Sequence, residues 1–239
     1  MIKSSIVNKI VQAESVQDYL TKQCMIYTYL NPVSYLTALK EKELFAKMDG
    51  IFADGSLLVA AIRLFYGKKV TRRSFDMTSM APEVLSFAND HKSSVCVVAT
   101  KQEMLDKTIG IFSKQYPNII WTGCRNGYFK DISEQETEAK HIAALNPDFL
   151  IVGMGILMQE RFLLMCKEAG FKGIGFTCGG FIHQTAEQDG KVDYYPKWVD
   201  RCNLRFLYRM YKEPHTRKRY ATAAFLFPFY FIKERINGK

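Results

Sequence analysis

The chain has 239 residues, of which 48% are hydrophobic and 24% charged, and its formal net charge at pH 7 is +9. This length and composition allow a sizeable buried core and exclude a disordered or low-complexity chain. The six cysteines form no CxxC pair and no zinc-type spacing with histidine, so they predict a reducing, intracellular location. The sequence predicts neither a signal peptide nor a membrane-spanning helix.

The positive charge is concentrated in the last fifth of the chain. Residues 191–239 contain 12 Lys and Arg against 4 Asp and Glu, whereas residues 1–190 contain 21 against 20. The same segment holds an apolar, aromatic run at 225–232, directly after a basic cluster at 217–219. Cations beside such a run favour binding to an anionic bilayer surface, although the same cations could instead bind phosphates. We therefore predict a core at residues 1–190 and a basic, membrane-associating appendage at residues 191–239.

Apolar runs alternate with amphipathic segments along the core, which is typical of a parallel sheet covered by helices. In chain order, the predicted strands are residues 24–29, 50–53, 95–100, 119–122, 149–153 and 173–178. The predicted helices are residues 32–47, 57–65, 80–91, 103–115, 134–145 and 159–170, with a helical, basic and aromatic pattern from residue 195 onward. The predicted fold class is α/β, with a mostly parallel sheet, helices on both faces and a helical basic appendage.

Ligands bind at the carboxyl ends of the strands in an open α/β sheet, and three predicted strands are followed there by polar or glycine residues. Asp54 follows the strand at 50–53, where a carboxylate serves either as a cap or turn residue or as a general base. Gly153 and Gly155 form either a tight turn or a place where the backbone approaches a phosphate or sugar.

Two further segments are weaker candidates for a binding site. Gln159 and Glu160 open a helix, where the helix dipole favours Glu even without a functional role. Gly179 and Gly180 form a second glycine corner, and His183 beyond them is more often a hydrogen-bonded structural group than a catalyst. The P-loop pattern, the complete GxGxxG fingerprint and the HExxH, GxSxG and DxD motifs are not found in the sequence. The residues alone therefore predict an α/β enzyme with a polar cleft.

Several short motifs follow one another in a characteristic order. They are Asp49-Gly-Ile-Phe-Ala-Asp54-Gly55, Arg72-Arg73 with Asp76, Gly123 with Gly127-Tyr128-Phe129, Asn146-Pro147-Asp148, Val152-Gly153-Met154-Gly155 with Gln159-Glu160, Cys178-Gly179-Gly180, Pro196-Lys197-Trp198, Leu204 to Arg209, Glu213-Pro214 and Arg219-Tyr220. This ordered set resembles the WecG/TagA/CpsF glycosyltransferases (glycosyltransferase family 26) over residues 20–235.

The resemblance implies a Rossmann-like enzyme that inverts configuration at the sugar and needs no metal or other cofactor. It implies a UDP-sugar donor and a polyprenyl-diphosphate-linked acceptor in bacterial surface polysaccharide biosynthesis, such as capsule or O-antigen. The implied location is peripheral, on the inner face of the cytoplasmic membrane, with no nucleic-acid partner and with self-association left open. The transferred sugar would be a hexose, an N-acetylhexosamine or a uronic acid.

The resemblance also implies roles for individual residues. Asp54 matches the family's proposed base, and Asn31 matches an Asn that contacts the acceptor side. The nucleotide-sugar segment corresponds to Gly153, Gly155, Gln159 and Glu160. The cations for the departing diphosphate would be Arg209, Arg217 and Arg219. The remaining predicted substrate-binding residues are Arg73, Asp76, Gly179, Gly180 and His183.

Three positions depart from the family pattern. Tyr29 replaces a usual Thr, His183 replaces a carboxylate, and Thr100 stands with Ala99 in place of a glycine pair. The donor sugar is therefore left open. Two other hypotheses remain at this point: a non-catalytic binder of nucleic acid or another anionic polymer, and a nucleotide-sugar-modifying enzyme that uses no lipid acceptor.

Overall fold

The computed structural model of the protein describes residues 4–14, 18–188, 205–212 and 217–237, together with Ile2, Val199 and Pro214. For Arg205, Phe206, Arg209 and Lys212 it describes the backbone alone.

The described residues form an α/β fold. The strands are Met25–Leu30 (β1), Gly50–Ala53 (β2), Ser94–Ala99 (β3), Ile120–Trp121 (β4), Phe149–Gly153 (β5) and Ile174–Thr177 (β6). The helices are Ser5–Glu14 (α1), Pro32–Ala38 (α2), Lys42–Ala46 (α3), Ser56–Tyr66 (α4), Met80–Asp90 (α5), Gln102–Gln115 (α6), Ile132–Leu145 (α7), Met158–Glu168 (α8), Phe181–Glu187 (α9), Arg205–Lys212 (α10) and Arg217–Asn237 (α11). The strands pair in parallel in the order β2–β1–β6–β5–β3–β4, which confirms the predicted Rossmann-like α/β class.

The core lies on both faces of the sheet because successive residues of a strand point to opposite sides. In β3, Cys96 and Val98 belong to one buried apolar cluster, whereas Val95 and Val97 belong to the other. The first cluster is covered by α1 to α4, α7, α8 and α11, and the second mainly by α5, α6 and α9. A strand buried on both faces is a nearly continuous apolar run, which explains why the sequence located these strands well.

Three features of the fold differ from the sequence prediction. The segment 32–47, predicted as one helix, forms two helices, because Glu41 leaves the helical backbone region (φ −128°, ψ 42°). Just before the break, the amides of Lys40 and Glu41 bond to carbonyls only three residues back. The sequence analysis also missed α9 and α1. The buried residues of α1 recur at helical spacing. They are Ile6, Val7, Ile10 and Ala13.

The 21-residue helix α11 packs along α2 and α4. Phe227 and Phe231 are buried, and their ring centroids lie 5.6 Å and 5.4 Å from that of Tyr35. The buried Glu234 accepts a hydrogen bond from the Tyr35 hydroxyl, and its Oε1 lies 3.3 Å from Lys42 Nζ. One face of the aromatic appendage is therefore part of the core.

The opposite face of α11 is apolar and exposed. Phe225 and Phe229 are 83% and 61% exposed, and Leu226 and Tyr230 lie exposed beside them. No helix in the described part of the chain has both the length and the apolar character required to cross a bilayer. The predicted boundary near residue 190 lies outside the described residues.

Candidate active site

A cleft of about 1140 Å³ opens at the carboxyl ends of the strands. Its walls come from the segments that follow β1, β2, β3, β5 and β6, and from the first turns of α11. The predicted site residues that line this cleft are Asn31, Asp54, Asp76, Gly153, Gly155, Gln159, Gly179, Gly180, His183 and Arg219. The parallel sheet and helix α11 thus bring together residues that are far apart in the sequence.

Asp54 lies at the corner between β2 and α4. Its backbone N–H donates to the Leu30 carbonyl at 2.8 Å, which ties the corner to the neighbouring strand β1. Gly55 has a φ of +102°, a backbone region that residues with a side chain rarely adopt, and this conformation turns the chain into α4. The Asp54 side chain is 35% exposed, and its Oδ1 lies 3.9 Å from Arg72 Nε. The corner therefore presents a partly exposed carboxylate beside a cation.

Arg72 is held in place by its own loop. Its Nη2 donates to Ser74 Oγ at 2.8 Å, and Ser74 Oγ donates to Asp76 Oδ2 at 2.7 Å. Asp76 also accepts bonds from the backbone and the hydroxyl of Thr78, at 2.8 Å and 2.6 Å. Asp76 thus organises the loop that positions Arg72.

Arg73 occupies a different environment from its neighbour. Its guanidinium lies over the rings of Tyr19 and Phe52, 5.3 Å and 5.2 Å from their centroids, and Arg73 is not among the residues that line the cleft. Its backbone N–H donates to the Ala53 carbonyl at 2.9 Å. The sequence prediction selected Arg73, whereas the structure places Arg72 on the cleft wall. Only the packing of the loop distinguishes these adjacent arginines.

Asn31 caps α2 and lines the cleft. Its Oδ1 accepts bonds from the backbone N–H groups of Val33 and Ser34, both at 3.0 Å, and the Ser34 hydroxyl accepts from the Asn31 backbone at 2.7 Å. Because the cap occupies Oδ1, a hydrogen bond from the Asn31 side chain to a substrate would come from Nδ2.

Glycine is required at the two corners for different structural reasons. A Cβ on Gly153 would lie 2.7 Å from both Cys178 Sγ and the Gly179 carbonyl, so the close approach of β5 and β6 requires glycine there. Gly155 and Gly179 have φ values of +80° and +54°, with open space where a Cβ would stand. These two turns expose backbone to the cleft.

Gln159 and Glu160 lie side by side but in different surroundings. Gln159 lines the cleft while being 6% exposed, whereas Glu160 is fully buried and is not a lining residue. Burial raises the pKa of Glu160. The predicted contact between Glu160 and a sugar or ribose hydroxyl is therefore not supported by its position.

His183 and Thr100 meet across the cleft wall. His183 Nδ1 lies 3.2 Å from Thr100 Oγ1, and its Nε2 lies 3.3 Å from Glu187 Oε1. Both His183 and Thr100 line the cleft, so two of the positions that depart from the family pattern are in contact.

The three predicted arginines of the appendage have different positions. Arg219 lines the cleft together with Tyr220. The exposed Arg217 is not a lining residue, and its Nε donates to the Met210 carbonyl at 2.9 Å. The side chain of Arg209 lies outside the described residues. Helix α10 contributes Leu207 and Met210 to the lining.

Other polar lining residues were not among the predicted site residues; they include Arg72, Ser74, Lys101 and Tyr128, although Arg72 and Tyr128 belong to the ordered motifs. Arg72 could have been found from the Arg-Arg pair itself, but the pair does not show which member faces the cleft. Within the described residues, no group of three or more His, Cys, Asp and Glu side chains is arranged to hold a metal ion.

The sheet and its polar cleft define a Rossmann-like α/β protein with a candidate substrate site at the carboxyl edge. The model of the glycosyl transferase WecG/TagA/CpsF family matches residues 5–239, and the chain belongs to this family. The protein is therefore a glycosyltransferase, which favours an enzyme over the non-catalytic binder considered from the sequence.

Characterised relatives span most of the chain. The UDP-Gal:alpha-D-GlcNAc-diphosphoundecaprenol beta-1,4-galactosyltransferase of Shigella boydii is 30% identical over 211 residues, which cover 88% of this chain and 87% of that protein. The N-acetylglucosaminyldiphosphoundecaprenol N-acetyl-beta-D-mannosaminyltransferase of Bacillus subtilis (strain 168) is 28% identical, with 84% and 79% covered. The enzyme with the same description in Staphylococcus aureus (strain NCTC 8325 / PS 47) is 25% identical, with 70% and 63% covered.

Proposed function

We propose that the protein transfers a sugar from a UDP-sugar to a polyprenyl-diphosphate-linked sugar in bacterial surface polysaccharide biosynthesis, with inversion at the anomeric carbon and without a metal. The observation that carries the proposal is the partly exposed carboxylate of Asp54 beside Arg72 on the wall of the cleft. Family membership supports it, as do the names of the three relatives, which all describe an acceptor made of N-acetylglucosamine on diphosphoundecaprenol.

The chemistry is a single displacement. Asp54 accepts the proton of the attacking acceptor hydroxyl while that oxygen forms a bond to the anomeric carbon. On the opposite face, the bond from the anomeric carbon to the diphosphate oxygen breaks, and its electron pair leaves with UDP. One displacement from the opposite face inverts the configuration of the sugar.

Arginines supply the positive charge for the leaving group. Arg72 lies beside Asp54, and Arg219 reaches the same cleft from α11. Guanidinium groups bind phosphate oxygens through paired hydrogen bonds, so they can neutralise a diphosphate in the place of a metal. Arg217 and Arg209 are proposed as further cations for the diphosphate.

UDP-galactose is the first donor to test. The galactosyltransferase relative is matched over a larger share of both chains than either mannosaminyltransferase. Other hexoses, N-acetylhexosamines and uronic acids complete the donor panel, because Thr100 and His183 give this cleft wall its own polar pattern.

The appendage at residues 191–239 is proposed to hold the enzyme peripherally on the cytoplasmic face of the membrane. The exposed aromatic face of α11 provides apolar contact, and the basic residues of the appendage provide attraction to anionic lipids. This location brings the cleft to a lipid-linked acceptor.

Incubation of the purified protein with the UDP-sugar panel and a short-chain polyprenyl-diphosphate N-acetylglucosamine tests the function, with products followed by mass spectrometry. The expected result is an acceptor heavier by one sugar, with stoichiometric UDP. Release of an altered sugar nucleotide without any lipid acceptor would favour the modifying enzyme instead. Transfer that occurs only with a donor of another nucleotide would contradict the proposed donor class.

A further inference from the structure

A buried polar network lies directly behind the cleft wall. Glu160 Oε1 accepts bonds from Thr28 Oγ1 at 2.7 Å and Gln159 Nε2 at 3.0 Å, and its Oε2 accepts from the Leu157 backbone N–H at 2.6 Å. Thr28 Oγ1 also lies 2.9 Å from Thr177 Oγ1. The fully buried Glu160 thus connects β1, β6 and the turn that precedes α8.

The same network fixes the side-chain amide of Gln159. Its Oε1 accepts the backbone N–H of Gly179 at 3.1 Å, while its Nε2 donates to Glu160. A backbone N–H can only donate and a carboxylate can only accept. In the opposite amide orientation, Nε2 of Gln159 would face the Gly179 N–H, donor against donor, and Oε1 would face the Glu160 carboxylate, acceptor against acceptor. Gln159 is therefore held in one orientation, with its oxygen already occupied.

One hydrogen of Gln159 remains for a ligand. The Nε2 group carries two N–H donors, and the hydrogen bonds among the described residues use only the one directed to Glu160. Gln159 lines the cleft between the glycine turns at Gly155 and Gly179. A side chain in this state can offer a substrate a donor but no acceptor.

We infer that Glu160 is a positioning residue that holds Gln159 as a dedicated hydrogen-bond donor to an oxygen of the nucleotide-sugar. Glu160 acts through Gln159 and touches no substrate itself. The inference rests on the proposed function for the identity of the ligand, since a UDP-sugar presents acceptor oxygens on its diphosphate and on its sugar.

Three variants separate positioning from a merely structural role. Glu160→Gln introduces a donor on one side of the carboxylate position, so it opposes either the Gln159 amide or the Leu157 N–H. In the exchange variant Gln159→Glu/Glu160→Gln, the bond between positions 159 and 160 can form again with its direction reversed, and the backbone N–H groups of Leu157 and Gly179 still find acceptor oxygens. Position 159 then has no N–H for the substrate. Thr28→Val is the matched control, because it removes a bond to Glu160 without touching the Gln159 amide.

Thermal unfolding and steady-state kinetics, with the donor and the acceptor each varied in turn, are measured for each variant. Glu160→Gln is expected to lower Tm and to reduce kcat/KM for the donor by about 100-fold, the usual effect of losing one preorganised donor. The exchange variant is expected to regain Tm but not kcat/KM. Thr28→Val is expected to lower Tm while kcat/KM stays within about threefold of the wild type, and the KM for the acceptor should change little in all three.

Recovery of both Tm and kcat/KM in the exchange variant would overturn the positioning role, because the network would then be structural alone. A fall in kcat/KM for Thr28→Val as large as that for Glu160→Gln would overturn it as well. If the wild-type protein uses a donor of another nucleotide, the proposed donor class fails, and the same variants test the positioning role with that donor.

Discussion

Asp54 lies at the corner between β2 and α4, and it forms a partly exposed ion pair with Arg72 from the loop after α4. The distance of 3.9 Å and the partial exposure of both side chains mean that the pair adds little to stability. Asp54→Asn keeps the shape of the side chain but removes the proposed proton acceptor. We expect kcat to fall by at least about 100-fold, in the range of general-base contributions, while Tm and UDP affinity stay close to wild type.

The control for this variant is Asp106→Asn, a change of the same chemistry on α6 outside the cleft. Its turnover should match that of the wild type. Full turnover by Asp54→Asn, measured with the same donor and acceptor, would remove Asp54 from the role of base.

The adjacent arginines provide a second test at the scale of single residues. Arg72 lies on the cleft wall, whereas Arg73 packs over Tyr19 and Phe52. Arg72→Gln is expected to lower kcat/KM for the donor by more than about tenfold with a small change in Tm, since a charge-assisted phosphate contact is lost. Arg73→Gln is expected to lower Tm through the loss of the cation–aromatic packing, with most activity retained.

Kinetics and thermal unfolding of the two variants, measured side by side, check the assignment. The opposite pattern, in which Arg73→Gln loses activity and Arg72→Gln loses stability, would show that the predicted Arg73 contacts the substrate after all.

At the scale of elements, helix α11 is joined to the core by Phe227, Phe231 and Glu234. Phe231→Ala removes a ring that contacts Tyr35, Phe65 and Tyr66, and such truncations of buried Phe cost about 3–5 kcal/mol in a core. Because α11 is terminal, we expect the loss to appear first as local undocking. Amide hydrogen exchange across residues 217–237 should accelerate, and activity should fall because Arg219 and Tyr220 leave the cleft wall.

Phe229→Ala is the matched control on the same helix, because the Phe229 side chain is 61% exposed. Its exchange rates and its activity in detergent should resemble those of the wild type. Equal acceleration of exchange in both variants would mean that α11 is not held by its buried face.

The elements that the sequence predicted well are those that local patterns determine. Strand β5 is a continuous apolar run and was located to the residue, whereas the break between α2 and α3 depends on the backbone of Glu41 and left no local mark. The same limit applies to the site. Asp54 was selected because a carboxylate at a strand end is visible in the sequence. Glu160 is buried against Thr28, which is 132 residues away in the chain, so its surroundings could not be read from the local sequence.

At the scale of the whole molecule, helix α11 has a buried face and an exposed apolar face, which the sequence alone could not separate. Phe227 and Phe231 are buried in the core, whereas Phe225 and Phe229 are exposed in a strongly basic segment of the chain. Deletion of residues 191–239 would therefore uncover part of the core as well as remove the proposed membrane contact. Substitutions confined to the exposed face test membrane association more cleanly.

The final prediction concerns Phe225→Ser/Phe229→Ser, which removes two exposed aromatic rings and leaves the buried face of α11 intact. We expect the wild-type protein to sediment with vesicles that contain anionic lipid more than with zwitterionic vesicles, and to be released by salt, because each surface cation contributes about 1 kcal/mol that salt screens.

The double variant should bind the anionic vesicles more weakly at an unchanged Tm. It should also lose activity toward a long-chain acceptor in vesicles while retaining activity toward a short-chain, water-soluble acceptor. Unchanged vesicle binding by this variant would show that the exposed face of α11 serves another contact.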